Sequence, residues 1–151
     1  NLPLAQQSNP LSFFYQQLTS NDIKTSMATL NRLQRWEAHL ISLQGQLAFV
    51  EDTVNESAKI SSIIQLYYSI NQCFIAKEPL LENIDIIRHI PTKIIHGRYD
   101  MVCPLEQAWQ FKTHWLQVDL TIVEMAGHLA SEPKITDALV KATDAFASKS
   151  A

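Results

Sequence analysis

The chain of 151 residues carries 12 lysines and arginines and 15 aspartates and glutamates, so its formal net charge is −3. Hydrophobic residues make up 46% of it, which is typical of a globular protein and excludes a disordered chain. The longest apolar runs are only a few residues, far below the roughly 20 that span a bilayer, and no basic cluster marks a nucleic-acid surface. We therefore expect a protein of ordinary domain size, with neither a membrane nor nucleic acid among its partners.

The first part of the chain, residues 1–89, has the pattern of helices. Ser12 is expected to cap a short helix that ends at Leu18, and Ser20 or Asn21 to cap a second helix. The second helix has apolar residues at steps of three and four, which is typical of one buried helix face. These residues are Ile23, Met27, Leu30, Leu33 and Trp36.

A third helix is predicted from Glu56 to about Ala76, and Pro79 is expected to end the regular pattern. Before it, Leu47, Phe49 and Val50 continue the helical spacing of apolar residues past Gly45. Residues 1–89 are therefore predicted to form a helical portion, with a boundary near 83–91.

Residues 90–151 have a different pattern, in which strands and helices alternate. Short β-branched strands are predicted at 92–96 and 120–124, and each is followed by a loop and a helix. The first of these helices is expected to end near Leu116 and the second near Ser148. This alternation predicts an α/β fold with parallel strands. Because two strands do not make a stable sheet alone, we expect this part to be the edge of a larger sheet.

A candidate catalytic side chain follows each of the two predicted strands. Asp100 comes shortly after the first strand, and His128 comes shortly after the second. The carboxyl ends of parallel strands are where open α/β sheets build their sites, and a carboxylate that orients a histidine is half of a nucleophilic triad. The residues alone leave a second interpretation open, because aspartate is a common turn residue and a glycine–histidine pair is ordinary in loops.

The segments around these residues resemble one known family. IIHGRYDMVCPL (residues 94–105) resembles the acid loop of prolyl aminopeptidases (proline iminopeptidases), which are serine peptidases of the α/β-hydrolase fold. AGHLASEP (126–133) resembles their histidine loop, and ITDALV (135–140) is similar to the helix that follows. LTSND (18–22) and RWE (35–37) are similar to parts of their helical cap.

The resemblance implies roles for five residues. It identifies Asp100 as the triad acid and His128 as the general base. Glu37 matches a cap glutamate that receives the free amino terminus of the substrate, and a cationic amine in a site needs such a carboxylate partner. Cys103 and Phe74 match residues that line the pocket for the proline ring. The implied activity is release of an N-terminal residue, with proline preferred, from peptides that have a free N-terminus.

One position departs from the family pattern. The family has a second glutamate four residues before the phenylalanine that Phe74 matches, and this chain has Ile70 there. One carboxylate fewer is expected to weaken the binding of a charged amino terminus and with it the preference for proline.

The chain also lacks the nucleophile that such a site needs. A serine α/β-hydrolase carries Gly-x-Ser-x-Gly, and the three glycines here, Gly45, Gly97 and Gly127, are far too widely spaced to form it. The chain begins at Asn1 rather than methionine, so the true N-terminus is expected further upstream. These observations predict a C-terminal fragment of an α/β-hydrolase, with 1–89 as part of the cap and 90–151 as the last two strand–helix units. The fragment is expected to need the missing N-terminal half as its partner and to be inactive alone.

Two alternatives remain at this point. The chain could be a degenerate, non-catalytic hydrolase remnant that binds a peptide or partner, or its parent could carry another α/β-hydrolase chemistry with a different elbow residue. Two cysteines, Cys73 and Cys103, are too few for a disulfide framework and have no metal-ligand spacing. A reduced, cytoplasmic location is therefore expected, with no cofactor and no metal.

Overall fold

The computed structural model of the chain describes residues 6–41, 54–75 and 79–148, so the predictions for Leu47, Phe49, Val50 and Ala76 fall outside it. The helices are α1 (Pro10–Leu18), α2 (Ile23–Ile41), α3 (Glu56–Ile70), α4 (Pro79–Glu82), α5 (Ile84–Ile87), α6 (Leu105–His114) and α7 (Pro133–Ala147), and the strands are β1 (Lys93–Gly97) and β2 (Asp119–Val123). The described residues fall into two compact units, the first with 6–37 and 54–75 and the second with 38–41 and 79–148. None of the described helices is long and apolar enough to cross a membrane.

Helix α1 begins three residues earlier than the sequence predicts. Asn9 caps it, because its Oδ1 accepts a hydrogen bond of 3.2 Å from the backbone N–H of Ser12. Pro10 occupies the first turn, where its missing N–H costs no helical hydrogen bond. The prediction that Ser12 itself caps this helix is therefore wrong, while the predicted end at Leu18 is confirmed.

Helix α2 begins directly after Asp22. The Asp22 carboxylate accepts hydrogen bonds from the Lys24 N–H at 3.1 Å and the Thr25 hydroxyl at 2.5 Å. The Ser20 hydroxyl is already used, since it accepts a hydrogen bond from the Asp22 N–H. The prediction that Ser20 or Asn21 caps this helix is therefore wrong. The cap is Asp22, a residue type of equal capping strength.

The core of the first unit joins α1, α2 and α3 through Leu18, Leu30 and Leu66, all of which are buried. The apolar stripe predicted on α2 is buried only in its middle, because Ile23 is 75% exposed and Trp36 is 64% exposed. A step of three residues falls about 60° short of a full helical turn, so the stripe winds away from the buried face. Seven partly buried residues complete this core: Phe14, Tyr15, Met27, Leu33, Val54, Ala58 and Ile63.

Helix α3 starts at Glu56 as predicted but ends at Ile70, before the predicted end. Asn71 caps the end of the helix, since both its backbone N–H, at 3.2 Å, and its side-chain amide, at 2.8 Å, donate hydrogen bonds to the Tyr67 carbonyl. The next three residues, 72–74, all have φ between 50° and 55°. This left-handed backbone redirects the chain at the end of α3. It costs a non-glycine residue about 1 kcal/mol or more.

The cap of α3 gives a test of the first unit. The Asn55 side chain accepts a hydrogen bond of 3.0 Å from the Ala58 N–H. We expect Asn55→Ala to lower the free energy of unfolding by about 1 kcal/mol, because this N–H loses its partner. Urea denaturation followed by circular dichroism measures the loss, and Asn55→Ser, which keeps a capping oxygen, should lose much less. Equal losses in both variants would contradict this role of Asn55.

The second unit is built on a parallel pair of strands, as predicted. Within the described residues the sheet has two strands, with Lys93 opposite Asp119 and Gly97 opposite Val123, and Lys93 and Asp119 also form an ion pair. Successive residues of a strand point to opposite faces, and the two faces pack against different clusters. Ile94 contacts the cluster that contains Trp115, Val118 and Phe111, while Ile95 contacts the cluster that contains Val123, Ala126 and Ile135. The carboxyl ends of both strands therefore lie side by side.

Candidate active site

The two loops that follow β1 and β2 are joined through their backbones. The Arg98 N–H donates to the Val123 carbonyl and the Tyr99 N–H donates to the Ala126 carbonyl, both at 3.0 Å. At this crossing Gly97 is buried, and a Cβ on it would lie 2.0 Å from the Gly127 carbonyl oxygen. Only glycine allows so close an approach of two backbones. Below, the acid loop is residues 98–104, between β1 and α6, and the histidine loop is residues 124–132, between β2 and α7.

Asp100 of the acid loop faces His128 of the histidine loop. His128 Nδ1 lies 2.9 Å from Asp100 Oδ2 and 3.2 Å from Oδ1. The other side of the carboxylate is held by the acid loop itself, since Oδ1 accepts the N–H groups of Val102 at 2.9 Å and Cys103 at 2.8 Å. The Asp100 side chain is 7% exposed and that of His128 is 36% exposed. The carboxylate is thus fixed in position while the imidazole reaches the surface of the unit.

The electrostatics of Asp100 fix the tautomer of His128. Burial raises the pKa of the Asp100 carboxyl, but hydrogen bonds from the Cys103 N–H, from His128 and from the Val102 N–H lower it, and the pKa stays below its ordinary value. An ionised carboxylate only accepts hydrogen bonds, so Nδ1 of His128 carries the proton. Nε2 is then the basic nitrogen, free to accept a proton.

His96, near the end of β1, holds the acid loop through a hydrogen bond. Its Nε2 lies 2.9 Å from the Cys103 carbonyl oxygen, and because a carbonyl only accepts, Nε2 is the donor. The same nitrogen is 3.9 Å from Asp100 Oδ2, and the His96 side chain is 14% exposed. His96 was not among the predicted site residues, although its place at the carboxyl end of a predicted strand is a signal that could have indicated it.

The histidine loop is held by its own last residue, Glu132, and by the start of α7. Glu132 Oε2 accepts a hydrogen bond of 2.9 Å from the Gly127 N–H, and the Thr136 hydroxyl donates to the Ala130 carbonyl at 2.8 Å. Arg98 and Glu124 then link the two loops through an ion pair of 2.6 Å. These contacts hold the histidine loop on both sides of His128.

Cys103 brings a thiol to the same place. One ligand atom each from Asp100, Cys103 and His128 lie within 4.8 Å of one another. Cys103 is exposed and forms no disulfide. These three residues could therefore hold a metal ion. The sequence spacing did not indicate this set, because its donors come from two loops that only the folded sheet brings together.

The other two predicted site residues, Glu37 and Phe74, belong to the first unit. Glu37 is half-buried on α2. Phe74 is 61% exposed, and its ring packs against Tyr67 and Tyr68 with centroid distances of 5.7 and 5.4 Å. Ile70, the position of the departure from the family pattern, is the last residue of α3. The structure thus brings together Asp100, Cys103 and His128, while the roles of Glu37 and Phe74 stay predictions.

The sequence of the chain is similar to those of known proteins over nearly its whole length. The chain is 37% identical over 150 residues to the proline iminopeptidase of Xanthomonas citri and 33% identical over 139 residues to that of Arabidopsis thaliana. These alignments cover 97% and 91% of the chain. The chain is a relative of the proline iminopeptidases.

The relationship to proline iminopeptidases extends to a probable proline iminopeptidase of Leptolyngbya boryana, 34% identical over 150 residues. The chain spans about half the length of the Xanthomonas citri and Leptolyngbya boryana proteins, at 47% and 46%, and 37% of the Arabidopsis thaliana protein. No protein-family model matches the chain. The mixed α/β structure with its parallel strands is compatible with the α/β-hydrolase fold that the resemblance to proline iminopeptidases implies.

Proposed function

We propose that this chain is the C-terminal part of a serine peptidase that releases the N-terminal residue, preferably proline, from peptides. The observation that carries the proposal is the hydrogen bond of 2.9 Å between His128 Nδ1 and an Asp100 carboxylate held by two backbone N–H groups. This is the arrangement in which a histidine acts as general base, and it stands at the carboxyl ends of neighbouring parallel strands. In this proposal residues 1–89 belong to a helical cap and 90–151 to the hydrolase core.

The proposed mechanism takes its nucleophile from outside the chain. A serine of the N-terminal half attacks the carbonyl carbon of the first peptide bond while His128 Nε2 takes the hydroxyl proton. Asp100 keeps Nδ1 protonated and stabilises the imidazolium that forms. His128 then gives its proton to the leaving amine as the C–N bond breaks, and an acyl-enzyme remains. Water, deprotonated by the same nitrogen, releases the N-terminal residue and regenerates the serine.

The substrate contacts are proposed from the family resemblance. Glu37 would pair with the charged amino terminus, and Cys103 and Phe74 would line the pocket of the first side chain. The exposed ring of Phe74 and the exposed thiol of Cys103 are both accessible to a ligand on their own units. With Ile70 in place of a second glutamate, we expect a weaker hold on the amino terminus than in a site with two carboxylates.

The proposal predicts that residues 1–151 alone are inactive, because acid and base without a nucleophile lose nearly all triad catalysis. The test compares this chain with the longest protein that its gene encodes, using proline and alanine arylamides and a mass measurement of both samples. We expect turnover only in the longer protein, higher with proline than with alanine, and a Gly-x-Ser-x-Gly elbow upstream of Asn1. Changing the elbow serine to alanine should abolish that turnover.

Three results would contradict this proposal in different ways. Robust turnover by residues 1–151 would refute the fragment argument. An aspartate or another residue in place of the elbow serine would indicate a different α/β-hydrolase chemistry. A folded longer protein that binds peptides without cleaving them would favour the degenerate, non-catalytic alternative.

A further inference from the structure

We propose that Asp100, Cys103 and His128 form a binding site for a thiophilic divalent cation such as Zn²⁺, and that this cation reversibly blocks the general base. The binding site rests on the geometry of the second unit alone, whereas the inhibition rests on the proposed function. The starting observation is that oxygen, sulfur and nitrogen donors from these three side chains lie within 4.8 Å of one another.

The donor set matches the chemistry of zinc. Zn²⁺ prefers thiolate, imidazole and carboxylate ligands in a tetrahedron, with bonds of about 2.0–2.3 Å that place the ligand atoms roughly 3.4–3.7 Å apart. Asp100 Oδ2 and His128 Nδ1 are closer than this, at 2.9 Å, so an ion would move these two atoms slightly apart. It would also draw in any donor atoms of the set, all within 4.8 Å of one another, that lie farther apart than this. Three protein ligands leave the fourth position to water.

The positions of the ligands are fixed by groups that would not bind the ion. Asp100 Oδ1 is occupied by the N–H groups of Val102 and Cys103, so Oδ2 is the oxygen available to a cation. The backbone of Cys103 is held at both its N–H and its carbonyl, which His96 contacts. Such outer contacts orient metal ligands and strengthen their binding. Only the Cys103 thiol and the exposed His128 ring have to adjust, and both have room to do so.

The protons balance in a way that predicts inhibition. When the ion binds, the Cys103 thiol releases one proton to solvent and becomes a thiolate. His128 stays neutral, but Nδ1 now binds the ion and the ring proton moves to Nε2. A protonated Nε2 has no lone pair to accept the proton of a serine, so the general base is lost until the ion leaves. Chelation should restore it.

The chain offers a matched control for the thiol. Cys73 is also a free, exposed cysteine, but it lies in the first unit and outside the donor set. Zn²⁺ is titrated by calorimetry into the longest encoded protein, as the parent and as the variants Cys103→Ser, Cys73→Ser and His128→Gln. We expect one equivalent to bind to the parent and to Cys73→Ser, and at least ~10-fold weaker binding to the other two.

The activity arm separates this proposal from the proposed function. In the parent and in Cys73→Ser, Zn²⁺ should inhibit arylamide hydrolysis and a chelator should restore it, while Cys103→Ser should need at least ~10-fold more Zn²⁺. Equal Zn²⁺ affinity in the parent and Cys103→Ser would overturn the site, provided that circular dichroism shows both folded. If the protein binds Zn²⁺ but has no activity, the metal site stands and the proposed peptidase function is refuted. If it hydrolyses the arylamide but binds no Zn²⁺, the metal site is refuted and the peptidase function stands.

Discussion

Asp100→Asn in the longest encoded protein is expected to lower kcat for a proline arylamide about 10⁴-fold, with little change in KM. The contacts of Asp100 explain why an isosteric amide should be so damaging. The N–H groups of Val102 and Cys103 require an oxygen at the Oδ1 position, so the amide NH₂ of the variant must face His128. That NH₂ donates to Nδ1 and shifts the ring proton to Nε2, which then cannot accept a proton from serine.

The control for this variant is Asp137→Asn on α7, where the carboxylate forms an exposed ion pair of 2.7 Å with Lys141. Loss of such a pair costs little, so kcat should stay within a factor of two or so of the parent's. Nearly unchanged melting temperatures in both variants would show that Asp100→Asn acts on the chemistry. A loss of less than tenfold in Asp100→Asn would refute the role of Asp100 as the triad acid.

Gly97→Ala is expected to lower the free energy of unfolding by about 3 kcal/mol or more, the range of severe overpacking. A Cβ at this position would lie 2.0 Å from the Gly127 oxygen, and 2.7 Å and 2.9 Å from the Ala126 oxygen and carbonyl carbon. All three are backbone atoms, so no side chain can rotate out of the way. The histidine loop would have to move away from the acid loop, which would also lengthen the hydrogen bond between Asp100 and His128.

Urea denaturation measures this loss as a lower midpoint, read separately from any change in slope. Thr121→Ala on the adjacent strand β2 is the control, since Thr121 is exposed and the change should cost less than about 1 kcal/mol. An unchanged midpoint in Gly97→Ala would show that the two loops are not packed as closely as described.

The sequence predicted the parts of this structure that depend on local pattern. Alternation of strand and helix signals after residue 90 was sufficient for the parallel pair β1 and β2. Because parallel strands end at the same edge, the positions of Asp100 and His128 in the chain also predicted that they would meet. The hydrogen bond between them shows this proximity, although it does not test their catalytic roles.

Features set by longer-range contacts were not predictable in the same way. The pattern of apolar residues continues past Ile70, yet α3 ends there, because the three left-handed residues 72–74 redirect the chain. The particular partners of His96 and Glu132 were not predicted, since each is a backbone group that folding brings near. Periodicity records which face of an element is buried, and it contains no information on such polar partners.

The close backbone crossing at Gly97 has a consequence for how the proposed enzyme would be completed. His96, Gly97, Asp100, His128 and Glu132, which orient the acid and the base, all lie in the second unit and within a short stretch of chain. Among the described residues, the hydrogen-bonded pair of carboxylate and imidazole is therefore oriented by groups of the second unit itself. A complementing half would need to position one oxygen nucleophile against an already oriented nitrogen, and the ordering of two of the three triad members would not depend on the encounter.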